Sequence, residues 1–511
     1  MNTIFHIDVN SAFLSWTAVK RLKENPDSID LRTIPSAIGG DTETRHGIIT
    51  AKSIPAGRYG IKTAMPVVKA LELCPELVLA QSDFVTYRMY SQAFIDILKK
   101  YSPVVEQVSI DEAFLNLTGM EQSTKSSIYQ QIVDGTLYLR DKSLGPLSAS
   151  ECTQLLSLVE GLTALEEYRI SASSDTESDN CTVDRWDHSS FTEKRETLFH
   201  ILNSNYAHRA DILKLLPFPL NAAVMIKDEI RDTLGFTVNV GISLNKLLAK
   251  MGSDLEKPDK IHTLFPSEIS EKMWKLPIGN LFGCGGRTAE KLEKIGIHTI
   301  GDAANMDPEI LTAVLGQNSG IYIHNAANGH SYSSVSDQVE EAKSISNEIT
   351  TSQDIDMNNI ETEGKKILRQ LAEQVSRRLK KHGVYAGTIG FTVKTDDFKR
   401  RSIQRKLTDS TNDEEQIYDT ALELMYELLL DADSGLFSMG YKIRLMCIST
   451  TNFDHGEFRQ MTFDDLIRNS EELAREKKLS KKRMVKKQRI EDLSETLKRK
   501  FGDSIVKKGF H

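Results

Sequence analysis

Three carboxylates stand where the surrounding sequence makes them costly. Asp8 lies in Thr3-Ile4-Phe5-His6-Ile7-Asp8-Val9, an apolar, β-branched run of the kind that forms a strand. Asp111 and Glu112 sit side by side between two more apolar runs, Val104–Val108 and Ala113–Leu117. A buried carboxylate is unfavourable unless it is paired or coordinates a metal. Two or three of them at adjacent strand ends make a hard-oxygen site suited to Mg²⁺, which takes carboxylates together with substrate phosphates. Neighbouring strand residues face opposite ways, so Asp111 and Glu112 can share an ion only at a turn or bulge. Taken alone, the Asp-Glu pair also reads as loop carboxylates satisfied by backbone donors.

Other residues extend this chemistry, each with a plainer reading beside it. Lys246, in Gly241-Ile242-Ser243-Leu244-Asn245-Lys246, follows a strand, with Ser243 as the expected helix N-cap. A lysine in the first turn of a helix is a seat for phosphate or an ordinary surface lysine. Helical periodicity makes Phe13 a core residue, yet it opens the helix that leaves the Asp8 strand. Gly283-Cys284-Gly285, between short helices, either presents bare backbone N–H groups to a phosphate or simply turns the chain.

The elements that must carry these residues follow from periodicity. Strands are expected at Thr3–Val9, Leu31–Ile38, Val104–Val108 and Ala113–Leu117, and helices at Val67–Leu73 and Asp83–Lys100. This alternation is that of an α+β or α/β sheet domain. The rhythm lapses from about Gly119 to Leu216, where Ser171–Asp179 is polar and acidic. The rhythm of strands and helices resumes at Ala222–Ile226 and Phe236–Ile242, so the interval reads as an insertion. A pair of short helices is expected over Ile278–Ala304. After a linker near Ser331–Ala342 comes a separate α+β unit, about 345–453. Its helices are Glu361–Lys381 and Glu414–Leu430, and its strands lie near Ile349, Thr388–Lys394, Arg401–Lys406 and Lys442–Ile448.

Composition limits the classes available. The chain has 511 residues, 27% charged and 40% hydrophobic, which suits a globular protein of about three to five domains. No run approaches the roughly 18 apolar residues of a membrane helix. The opening MNTIFHIDVN lacks a basic segment followed by an apolar one, so a cytoplasmic location is expected. Five scattered cysteines suit a reducing compartment, and no Cys/His cluster has zinc-ligand spacing. The formal charge is 64 − 72 = −8. Glu471–His511 holds 14 basic and 7 acidic residues, +7, leaving −15 for the rest. Such a tail guides a phosphate-rich partner or is a solvated helix.

Several blocks in order resemble the Y-family translesion DNA polymerases, in their bacterial branch. They are Ile7-Asp8-Val9-Asn10-Ser11-Ala12-Phe13, Gly47–Ala51, Tyr59–Pro66, Tyr101–Phe114, Val240–Lys246 and Gly283–Leu292. The resemblance covers roughly 1–120 and 220–455. It implies an α+β multidomain, right-hand polymerase: palm at 1–32, 79–120 and 218–270, small fingers at 33–78, and a thumb with a helix-hairpin-helix-like motif at 271–335. It also implies a little finger at 345–455, leaving an insertion at 121–217 and a tail at 456–511.

The activity implied is template-directed, low-fidelity nucleotidyl transfer from dNTP to a primer 3′-hydroxyl, using two Mg²⁺ ions. Asp8 and Asp111 would bridge the ions, Glu112 would hold the one at the primer hydroxyl, and the Val9 carbonyl would complete the other's shell. Lys246 would meet the triphosphate, Phe13 would be the steric gate against a 2′-hydroxyl, and Gly283 and Gly285 would meet the DNA backbone. The family places a Tyr and an Arg on the triphosphate where this sequence has Ile54 and Gly57, so Lys52, Ser53 and Arg58 are the nearby substitutes. In the tail, Gln460, Met461 and Phe463 resemble a sliding-clamp-binding peptide, or Phe463 packs the last helix. The implied partners are primer–template DNA, dNTP and the clamp, with a monomeric chain and no membrane. A different class, a non-catalytic DNA-binding accessory protein, shares the fold, but such relatives lose the metal carboxylates that are all present here.

Overall fold

The computed structural model describes residues 2–40, 47–124, 218–338, 341–431 and 434–455. The chain divides into two compact units, Met1–Glu340 and Glu341–His511. Among the described residues, most of the insertion (125–217) and the tail motif with Gln460, Met461 and Phe463 are not included.

The first unit is built on a sheet of β1 (Ile4–Val9), β5 (Val105–Gln107), β6 (Glu112–Asn116), β7 (Val238–Ser243) and β8 (Ile261–Thr263). Their order is β5-β6-β1-β7-β8, so β1 lies at the centre, antiparallel to both β6 and β7. Strand alternation sorts the two faces. Phe5, Ile7 and Val9 of β1, Ala113 and Leu115 of β6, and Val238, Val240 and Ile242 of β7 share one core. The helices α1 (Ala12–Glu24), α4 (Phe84–Tyr101) and α5 (Leu220–Leu234) contribute Trp16, Phe94, Leu98, Ile226 and Ile230 to that core. Ile4, His6 and Asp8 therefore belong to the other face. That face is closed at one end by α6 (Lys246–Asp254), where Ile4, Phe114 and Ala249 cluster.

A three-stranded sheet, in the order β3-β2-β4, carries the small lobe: β2 (Ser36–Gly39), β3 (Ile49–Lys52) and β4 (Val78–Ala80), with α2 (Ile54–Arg58) and α3 (Val67–Leu73). It packs on α1 through Leu14, Ala18, Ile38, Ala51 and Ala80. Beyond β8, short helices α7 (Gly286–Glu293), α8 (Ile300–Asn305), α9 (Pro308–Leu315) and α10 (Gln317–Ala327) share a core of Leu281, Leu292, Ile300, Leu311 and Ile323.

The second unit has the order β9 (Ser344–Ile355), α11 (Lys365–His382), β10 (Tyr385–Thr395), β11 (Arg400–Thr411), α12 (Glu414–Leu430) and β12 (Ile443–Asp454). Its antiparallel sheet runs β11-β10-β12-β9. Leu371 and Val375 of α11 and Leu424 of α12 pack on Phe391 and Met446.

Ala222–Ile226 lies in helix α5, where Leu220, Ala223, Ile226 and Ile230 recur at helical spacing and all face the core. Two sequence expectations are corrected. The strand expected over Leu31–Ile38 is confined to Ser36–Gly39, since the Asp30 side chain caps a turn at Arg32 and its carbonyl accepts from Thr33. Ser243 is the last residue of β7, and Asn245 caps α6, its side chain accepting from the Leu248 N–H at 2.9 Å.

Gly241 permits the closest approach in the sheet domain. It lies opposite His6 on β1, and a Cβ there would meet the Ala249 carbonyl at 2.0 Å and the Ser253 nitrogen at 2.4 Å. Both obstacles are backbone, so no side-chain rotation relieves them. Gly241→Ala is expected to cost about 3 kcal/mol or more of stability. Urea unfolding of the variant checks this, and a midpoint equal to the parent's would show that α6 can lift off the sheet without penalty.

Candidate active site

Antiparallel register brings the carboxylates together. Asp8 is the Cα partner of Glu112, so the pleat directs both side chains to the face that α6 partly covers. Asp111 lies in the tight turn before β6, where the Val108 and Ser109 N–H groups donate to the Glu112 carbonyl at 3.1 and 3.3 Å. The Asp111 carbonyl accepts from the Val9 N–H at 2.9 Å, tying the turn to the end of β1. This turn is what lets adjacent acids serve one site.

Two ammonium groups already sit on these acids. Lys250 Nζ is 2.8 Å from Glu112 Oε2, 3.6 Å from Asp8 and 3.3 Å from Asp254. Lys257 Nζ is 2.9 Å from Asp8 and 3.0 Å from Asp254. His6 Nε2 lies 3.2 Å from the same Glu112 Oε2. The His6 hydrogen bond, seconded by Lys250 against the cost of burial, holds the Glu112 carboxyl down to about 2. Burial pushes Asp111 the other way, upward, helped by the negative charges of Asp8 and Glu112, against a 2.6 Å hydrogen bond from Ser109 Oγ. Burial also keeps His6 below the ordinary imidazole range, against its hydrogen bond with Glu112.

The donor set suits a hard divalent cation. Three carboxylates converge, Asp111 bears uncompensated repulsion, and both partners of Glu112 use Oε2 alone. Among the described residues, however, no group of three or more His, Cys, Asp or Glu is gathered tightly enough to hold an ion as it stands. The ammonium groups of Lys250 and Lys257 supply the positive charge at Asp8 and Glu112 instead.

The other candidates fall in different places. Lys246 Nζ is 2.6 Å from Glu106 and 5.0 Å from the Phe114 ring centroid. Glu106 also accepts from the Ser336 N–H at 3.0 Å, so Lys246 anchors the segment that leaves α10. The lysines at the carboxylates, Lys250 and Lys257, were missed. Lys250 is one helical turn beyond Lys246 on the same face, so the position of α6 along its axis against β7 decides which of the two reaches the acids.

Phe13 is half-buried and stacks on Tyr87, centroids 4.6 Å apart and planes at 17°, with Phe84 edge-on at 6.1 Å. Ser53 is buried; its hydroxyl caps α2 and bonds the Ile34 carbonyl. Lys52 and Arg58 make no ion pair or hydrogen bond among the described residues, and a Cβ on Gly57 would lie 2.6 Å from Lys52 Nζ. Gly283 has φ +85°, and Tyr322 covers it, donating from its hydroxyl to the Phe282 carbonyl at 2.9 Å. Gly285 is open above its Cα and caps α7.

This geometry has close parallels. The impB/mucB/samB family matches residues 7–254, its C-terminal domain matches 342–463, and the IMS family HHH motif matches 266–297. The chain is 31% identical to a DNA polymerase IV of Clostridium acetobutylicum over 98% of its own length and 96% of that protein. It is 27% identical to DNA polymerase IV 1 of Bacillus subtilis over 99% of its length and 92% of that protein. A solved Y-family DNA polymerase chimera shares its fold with a TM-score of 0.57 at 18% identity, covering 88% of this chain and 98% of that one. The fold is thus the α+β right-hand polymerase architecture, with a palm-like domain and a C-terminal little finger. The chain belongs to the Y-family of DNA polymerases, and its class is that of DNA-directed DNA polymerases.

The pairing of Glu112 sets a pH dependence. Its carboxyl is depressed from 4.5 to about 2, so its ionised form stabilises the fold above the unfolded value and loses that effect as pH falls toward 2. Glu112→Gln is expected to lower the melting temperature at neutral pH, with the difference from the parent closing below about pH 4. Melting curves across that range check it; a constant gap would mean that the charge on Glu112 contributes nothing.

Proposed function

We propose that the chain is a low-fidelity, translesion-type DNA polymerase that transfers a nucleotidyl group from dNTP to a primer 3′-hydroxyl and releases pyrophosphate. The observation that carries this is the convergence of Asp8, Asp111 and Glu112 on one end of the central sheet of a Y-family chain. Asp8 and Asp111 would hold two Mg²⁺ ions, Glu112 the ion at the primer hydroxyl, and the Val9 carbonyl one further position. When bound, such ions activate the hydroxyl and stabilise charge on the phosphates and leaving group.

The chain's own residues do the rest. Lys250 and Lys257, on the carboxylates here, are the ammonium groups best sited to turn to a triphosphate. Lys246, implied in that role by family resemblance, is committed to Glu106. Lys52 takes over the charge missing at Gly57, since its ammonium group stands where a side chain at 57 would begin. Ser53 is fully used in capping, and Arg58 remains an exposed alternative. The stack of Phe13 on Tyr87 makes a rigid floor for the sugar, on which a 2′-hydroxyl would clash. Gly283 and Gly285 offer backbone to the DNA phosphates. The accessory-protein reading gains nothing from a site that retains all three acids.

Primer extension with Mg²⁺ and dNTPs tests the proposal. Asp111→Ala should abolish extension while duplex binding survives, because phosphate contacts lie on other elements. In the same assay Phe13→Ala should use ribonucleotides far better than its parent, and Lys52→Ala should raise the KM for dNTP more than Arg58→Ala. Ordinary extension by Asp111→Ala would refute the metal assignment. Equal loss of rNTP and dNTP use would reduce Phe13 to packing.

The clamp is the remaining proposed partner. Gln460, Met461 and Phe463 would enter a preformed groove, raising the local concentration of a weakly bound enzyme at primer ends. Changing Gln460 and Phe463 together to Ala should leave extension on short free primers intact and remove stimulation by the clamp; equal stimulation would reject the motif.

A further inference from the structure

His6 is a polar side chain that the proposed chemistry does not use, and its setting is specific. The ring is 1% exposed. It lies on β1, two residues before Asp8 and opposite Phe114 and Gly241. Phe114 covers it, ring centroids 4.6 Å apart. Its Nε2 is 3.2 Å from Glu112 Oε2, and its Nδ1 is 2.7 Å from Ser253 Oγ.

Hydrogen counting fixes how these groups bond. Glu112 is ionised and only accepts, so the contact with Nε2 requires a hydrogen on that nitrogen. In a neutral ring Nδ1 is then an acceptor. Ser253 Oγ has one hydrogen and two acceptors in reach, His6 Nδ1 at 2.7 Å and the Lys250 carbonyl at 2.8 Å. That hydrogen serves one acceptor at a time, so the Ser253 hydroxyl is shared between Nδ1 and the Lys250 carbonyl. Nε2–H thus donates to Glu112 Oε2, while Ser253 Oγ stands against Nδ1 on the far side of the ring.

We infer that His6 is a positioning residue for Glu112. Backed by Ser253, it holds Oε2 from behind and leaves Oε1 as the oxygen presented to a divalent ion. Lys250 grips the same Oε2. Being a flexible ammonium group with Asp8 and Asp254 as alternative partners, it can leave when an ion or phosphate arrives; the buried ring cannot. A group that orients a metal-binding carboxylate in this way typically contributes about 10–100-fold in metal affinity or activity. The inference rests on the metal role proposed above for Glu112.

Two isopolar variants separate positioning from packing. The amide nitrogen of Gln reaches the place of Nε2, whereas that of Asn reaches only the place of Nδ1. Mn²⁺ binding to the full chain is titrated directly, without DNA or dNTP, beside the Mg²⁺ dependence of primer extension. His6→Asn is expected to weaken Mn²⁺ binding about 10–100-fold and to raise the Mg²⁺ needed for half-maximal extension. His6→Gln is expected to stay within a few-fold of the parent, with both variants melting alike. Ser253→Ala, which removes the contact that steadies the ring at Nδ1, should fall between them. Equal metal affinity in the Asn and Gln variants, whether both are parental or both are impaired, overturns the inference. A parent that extends primers but whose Mn²⁺ affinity is unaffected by Glu112→Gln would instead refute the role of Glu112.

Discussion

The site depends on one close approach, the seating of α6 against the sheet at Gly241. Strand pairing alone puts Asp8 and Glu112 side by side on an uncovered face. What turns that face into a chemical site is a helix lying so near β7 that a single methyl group would strike its backbone. From this position α6 delivers Lys250 to the two acids and Ser253 to His6. The facing residue on the helix is also glycine: a Cβ on Gly252 would lie 3.4 Å from Gly241 Cα. The palm side chains are thus arranged by what two positions lack.

Seating the helix also settles the electrostatics. Three carboxylates at one strand end repel one another, and that repulsion adds to the burial that raises the Asp111 pKa. Lys250 and Lys257 offset it at Asp8 and Glu112, so the acids can converge while the protein folds, before any ion is bound. Burial disfavours both ammonium charges, yet the neighbouring acids outweigh it and raise both pKa values. A divalent ion proposed for this site would have to displace these ammonium groups, and Asp254 touches both of them.

Much of this was legible in the sequence because it is local. Apolar, β-branched runs marked the strands around Asp8 and Glu112, and the need for a turn at Asp111 followed from strand alternation alone. The order of elements in the second unit was readable from periodicity. Ala222–Ile226 carried no assignment of its own, because a short apolar run looks alike in a buried helix and a strand. The choice among Lys246, Lys250 and Lys257 was illegible for a different reason. It depends on where α6 sits along its axis against the sheet, which Gly241 and Gly252 set through a contact between distant segments, and on the chain beyond α6, which carries Lys257. His6 likewise resembled any strand residue until the register put it beside Glu112.

Gly57 and Lys52 share one volume. The ammonium group of Lys52 rests where a side chain at position 57 would start, 2.6 Å from the site of its first carbon. A residue larger than glycine at 57 would push that group aside, and because it is the free end of a long side chain the backbone need not move. The resting place of the Lys52 charge is thus set by a side chain that position 57 does not have.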